Sequence, residues 1–146
     1  MIIEPHRNYF TWKIDNYTAL KDADYYSEQF TVEGRRWKLN LESKGGGTGA
    51  DTFLSLYLML DDLESLVPKR KVYAKYKLRI RDQINSKHLE KIVEYWFCDP
   101  DGCGYGFAKF LALKDLMNTS KGYLVDGGLF IECKIEVISV VKDFSN

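Results

Sequence analysis

Residues 72–81 run Val-Tyr-Ala-Lys-Tyr-Lys-Leu-Arg-Ile-Arg, which sets Val72, Ala74, Tyr76, Leu78 and Ile80 against Tyr73, Lys75, Lys77, Arg79 and Arg81 at a period of two. Successive side chains of an extended chain point to opposite faces, so this stretch predicts a strand with one dry and one wet side. A strand of that kind needs a second layer to cover its dry face. The same alternation returns in Phe10, Trp12 and Ile14, in Trp37, Leu39 and Leu41, in Leu54, Leu56, Leu58 and Leu60, and in Leu129, Ile131, Cys133, Ile135 and Val137. Weaker strands are expected at residues 25–32 and 92–98, the latter with Val93, Tyr95 and Phe97 on one side. Asp15-Asn16, Glu33-Gly34 and Asp126-Gly127-Gly128 supply turns between them. Helical spacing is confined to residues 109–118, where Phe110, Leu113 and Met117 recur and Asn118 stands at a plausible end. Short strands with one short helix predict an all-β, antiparallel sandwich.

The 146 residues are enough for a single domain, and a 45% apolar content can fill one core. Lys and Arg balance Asp and Glu at 21 each, so no net field would steer a polyanion, and nucleic acid is not an expected partner. The basic row Lys75, Lys77, Arg79 and Arg81, preceded by Lys69-Arg70-Lys71, reads as a solvated strand face. Cys98, Cys103 and Cys133 are odd in number and lack Cys-x-x-Cys spacing, which predicts reduced thiols in a cytoplasmic or nuclear protein; a Cys98–Cys103 bridge is the alternative. Neither a membrane span nor a signal peptide is expected.

The motifs that would carry chemistry do not hold together. Lys44-Gly45-Gly46-Gly47-Thr48-Gly49 lacks the Gly-Lys-Ser/Thr ending of a phosphate loop and precedes a strand, so it reads as an inter-strand loop. Asp99-x-Asp101-Gly102 lacks the later acidic ligands of a calcium loop and reads as a turn. His6 and His88 stand outside any metal spacing, and no nucleophile elbow occurs. No catalytic residue, metal or cofactor is expected.

Phe10-Thr11-Trp12-Lys13-Ile14-Asp15-Asn16-Tyr17, Leu54-Ser55-Leu56-Tyr57-Leu58, Gly104-Tyr105-Gly106-Phe107-Ala108-Lys109-Phe110 and Gly122-Tyr123-Leu124-Val125 occur together and in order. In this combination the chain resembles a MATH domain, of the meprin and TRAF homology family, over residues 7–141. Its texture is most similar to plant MATH proteins and to the MATH domains of ubiquitin-specific proteases. The resemblance implies an eight-stranded TRAF-like β-sandwich with one short helix. It also implies a protein-interaction module that lays short, Ser/Thr-containing peptides beside an exposed strand in a shallow aromatic groove. Such modules serve ubiquitin-linked or receptor-adaptor machinery.

By the same resemblance the groove positions are Tyr57, Tyr76, Tyr95, Tyr105 and Phe107, with Phe97 a neighbour or a core residue. Tyr57, Tyr105 and Phe107 rank first, because a tyrosine at a binding surface serves both an apolar and a wet neighbour. Gly104-Tyr105 stands where peptide-capturing relatives carry Asp-Trp, and Ala108 where adaptors carry a lysine, so their peptide motif does not transfer. The alternatives are a scaffold or oligomerisation domain without a working groove and a regulatory domain of a larger ubiquitin-specific protease. No heptads occur, so a monomer is expected in isolation.

Overall fold

A computed structural model describes residues 2–3, 7–45, 52–62, 71–98 and 103–141, with side chains to 139. His6, most of the glycine loop (46–51), Lys69-Arg70 and the turn at 99–102 lie outside the described residues.

The alternating stretches form strands β1 (Ile2–Ile3), β2 (Tyr9–Ile14), β3 (Asp24–Tyr26), β4 (Phe30–Val32), β5 (Arg35–Glu42), β6 (Phe53–Leu60), β7 (Lys71–Ile80), β8 (Leu89–Cys98), β9 (Gly104–Ala112) and β10 (Leu129–Val141). A four-residue helix α1 (Leu113–Leu116) follows β9. Two antiparallel sheets of five strands result. One has the order β1-β10-β7-β8, with β2 also on β10; the other has the order β3-β5-β6-β9, with β4 also on β5. Leu39, Leu41, Leu54, Leu56 and Leu58 from one sheet and Val72, Ala74, Leu78, Ile80, Ile131 and Ile135 from the other are fully buried, as the period of two requires. Trp37 meets Phe97 edge to face, ring centres 5.2 Å apart, across the core.

The count of ten strands exceeds the expected eight for local reasons. Ile2 and Ile3 add a short pairing with Ser139 and Ile138. Residues 25–32 are two strands, because buried Ser27 exchanges bonds with Leu39: its N–H donates to the Leu39 carbonyl (2.9 Å), while its Oγ accepts from the Leu39 N–H (2.8 Å). A side chain there does part of the work of a ladder bond and breaks the strand. The hairpin from β4 to β5 turns on Glu33 and Gly34, both at positive φ (51° and 73°), the backbone of a tight two-residue turn.

The helix expected over residues 109–118 is shorter than its pattern. β9 continues to Ala112, and a register shift opposite Leu54 and Leu56 buries consecutive Phe110 and Leu111. That bulge imitates helical spacing in the sequence. Asn118 caps the next 3-10 turn, Thr119–Lys121, by accepting from the Ser120 N–H (3.0 Å), and Met117 is half exposed. Cys98, Cys103 and Cys133 are free thiols.

Candidate functional site

Strands β8 and β9 are the outermost strands of their respective sheets, and each pairs with one strand alone among the described residues. Their unpaired edges lie on the same open side of the sandwich, as the side-chain contacts between them establish. An unpaired strand edge offers backbone donors and acceptors to another chain.

The expected aromatic residues fall into three groups. Leu58 is buried and pairs with Tyr105, so Tyr105 points to the inner side of its sheet; at the edge it is still 44% exposed. Its ring stacks on Tyr95 of β8 with centres 4.3 Å apart and planes 2° from parallel. Burial, with Cys98, Tyr105 and Cys103 nearby, raises the Tyr95 pKa. Phe107 pairs with Leu56 and points the same way, packing against Phe110 at 5.8 Å. These three side chains, Tyr95, Tyr105 and Phe107, line the seam between the two edges.

Tyr76, expected as a groove residue, belongs to the core instead, and Phe97, expected as a groove neighbour or a core residue, is core; neither has exposed surface. Tyr76 alternates with Leu78 and Ile80 on the inner face of β7, and its hydroxyl crosses between sheets to donate to the Tyr105 carbonyl (2.6 Å). Burial pushes its phenol pKa far up. Phe97 lies beneath Tyr95, edge to face at 5.0 Å. Both hold the seam from below without reaching the surface.

Tyr57 occupies the third position, the outer face of the other sheet. The cross-strand register Tyr26–Asn40–Tyr57–Gly106 sets these residues in one row over four strands. A Cβ on Gly106 would lie 2.7 Å from Tyr57 Cα and closer still to the Leu56 carbonyl oxygen, so only glycine permits β9 to lie so near β6 here. The row therefore ends at Gly106 without a side chain, beside the partly buried Tyr57 ring. Burial raises the Tyr57 pKa; a Ser55 hydrogen bond opposes this and Glu42 adds to it. Tyr57 and Tyr105 therefore flank β9 from its two faces.

Lys91 lies just upstream of the strand expected at residues 92–98, but β8 includes it, and it stands on the inner face two residues before Val93 in the alternation that continues to Tyr95. Extending that alternation upstream would have found it. Its ammonium lies over the rings of Phe107 (5.2 Å) and Phe110 (4.9 Å) and donates to the Lys109 carbonyl (3.1 Å). Three members of the basic row are paired, by contrast: Arg79 binds Glu90 (Nε–Oε1 2.6 Å) and Glu132 (3.2 Å), Arg81 binds Glu132, and Lys77 approaches Glu90 at 3.7 Å. Among the described residues no cluster of three or more His, Cys, Asp or Glu could hold a metal ion. A recess of about 290 Å³ between Tyr17, Leu20, Leu113 and Met117 touches none of the aromatic candidates. No described helix is long and apolar enough to cross a membrane.

Residues 9–135 match the family model of the MATH domain, and the chain belongs to the MATH domain family. It is 35% identical over 133 residues to an Arabidopsis thaliana MATH domain and coiled-coil domain-containing protein, covering 90% of this chain and 43% of that protein. It is 30% identical over 137 residues to Ubiquitin C-terminal hydrolase 12 of the same plant, covering 93% of this chain and 12% of the hydrolase. The chain thus spans less than half the length of these curated relatives. Among solved structures it is similar to TRAF5 of Notothenia coriiceps, with a TM-score of 0.68 and 19% identity over 88% of this chain and 72% of that one, a likeness of fold. The MATH domain is a non-catalytic protein-interaction module, and here it has the TRAF-like sandwich.

Proposed function

We propose that this domain captures short extended segments of partner proteins by adding them to the open edge of β9. The observation that carries the reading is Tyr105, an aromatic at an unpaired strand edge, 44% exposed and set between two glycines. Main-chain bonds to the edge supply affinity, while side chains alternating above and below β9 meet the Tyr57 side on one face and the Tyr95–Tyr105–Phe107 seam on the other. Ser or Thr hydroxyls on the peptide suit the outer face, where Tyr57 carries a hydroxyl on an apolar ring. Within a longer protein the module serves as a recruiting arm, in ubiquitin-linked machinery such as the hydrolase relative or in an adaptor.

A peptide array probed with the wild-type domain, Tyr57→Ala and Tyr105→Ala tests this. The same hits should weaken at least about tenfold in both variants, the loss that truncating a central aromatic anchor produces. Hits from the array should also shift the Tyr57, Tyr105 and Phe107 resonances together. Shifts confined to the outer faces of β7 and β10 would refute the reading.

A further inference from the structure

Lys91 is a cation without an anion. Its ammonium donates to the Lys109 carbonyl and forms no ion pair among the described residues, and burial lowers its pKa. A lysine ammonium carries three donors, so two remain for something outside this chain. Its neighbours on β8, Glu90 and Ile92, alternate to the opposite face, and Leu78, opposite it on β7, is apolar. Phe107 and Phe110 hold the charge in place by their ring faces, at the edge to which a peptide strand would be added.

We infer that Lys91 is a recognition residue for an anionic peptide side chain, so that partners of this domain are extended segments with an acidic or phosphorylated residue at one fixed position. The inference rests on the proposed β9 groove and specifies what it selects. Side chains opposite one another on paired strands share a face, so a peptide residue paired beside Phe107 points inward, over the Phe107 ring and towards the Lys91 ammonium. A carboxylate or phosphate there would replace open solvent as the partner of two N–H donors, and a charge-assisted bond in a partly dry seam is stronger than a neutral one. The basic row of β7 faces the other side of the sheet, where Glu90 and Glu132 hold Arg79 and Arg81.

The test uses the array hits, each synthesised in matched sets with Glu, Gln, Ser or phosphoserine at successive positions, against wild type, Lys91→Gln and Lys91→Arg, with folding checked by circular dichroism. At one position, anionic peptides should bind wild type about tenfold more tightly than their neutral counterparts. Lys91→Gln should abolish that preference, and Lys91→Arg should retain it. Comparison of Glu with phosphoserine separates the two sources of charge. Peptides that bind with no anionic preference, or a preference that survives Lys91→Gln, overturn the inference while leaving the groove standing. If no extended peptide binds at all, the groove reading fails and the inference fails with it.

Discussion

Arg79 and Lys91 are cations on adjacent strands of one sheet, yet they face opposite sides of it and have opposite surroundings. Arg79 and Arg81 look outward and are closed by Glu132, whose side chain is only 2% exposed, with Glu90 completing the network. Lys91 looks inward to the seam, where aromatic rings and one carbonyl surround it and no carboxylate is paired with it among the described residues. The difference teaches where to look for function in a chain of zero net charge: Arg79 and Arg81 belong to an internal ion network, whereas Lys91, held by aromatic rings and one carbonyl, stands at an open strand edge. Charge counted along a sequence does not report which charges are already spent on one another.

The comparison can be broken on the seam side first. Gly106→Val places atoms where the Leu56 carbonyl and Tyr57 Cα already stand, so β9 must part from β6; a loss of about 3 kcal/mol in chemical denaturation is expected, with peptide binding lost as well. Stability unchanged by this substitution would mean that β9 is not held in the register described.

On the closed side, Glu132→Gln should cost about 2 kcal/mol, below the value for a fully buried pair because both arginines are partly exposed, and should leave peptide binding intact. Burial favours the neutral acid of Glu132, but the Tyr9 hydroxyl and the Arg81 and Arg79 guanidinium groups outweigh it and hold the pKa below the ordinary value. A folded-state pKa lowered in this way stabilises the fold above the unfolded value, near 4.3, and the contribution disappears as pH falls through the folded value. The wild type and Glu132→Gln should therefore converge in stability on the acid side of about pH 4. A gap that persists undiminished in acid would show that the network is not ionic.

Tyr76→Phe gives the smallest effect and sharpens the boundary between the regions. It deletes the cross-sheet bond to the Tyr105 carbonyl but keeps the ring, so about 1 kcal/mol of stability is expected to go. Because Tyr76 is core, neutral peptides should lose affinity only modestly compared with Tyr105→Ala. An equal loss would return Tyr76 to the contact surface.

Much of this was legible in the sequence. Alternation at Leu54, Leu56, Leu58 and Leu60 and at Val72 through Ile80 assigned strands and inner faces correctly, since burial on a pleated strand leaves a period of two in the residue types. The Glu33-Gly34 and Asp126-Gly127 turns were legible for the same kind of local reason, a positive φ that few residues tolerate. The spacing of Phe110, Leu113 and Met117 misled, because the bulge that buries Phe110 beside Leu111 changes the period without marking itself. Tyr57, Tyr95, Tyr105 and Phe107 were named from motif alone, and nothing in their identity says that Tyr57 lies on one face of β9 and the other three on the opposite one.

The sequence by itself determined the class of fold, because hydrophobic alternation and turn chemistry act over a few residues and need no partner from elsewhere in the chain, and its ordered motifs carried the resemblance to the family. Only the tertiary structure decided which aromatics are core, which cations are matched and where the open edge lies. Those are properties of strands distant in sequence: Tyr76 meets Tyr105 across 29 residues and Lys91 meets Lys109 across 18, distances over which residue order carries no record of contact until the sheets have closed.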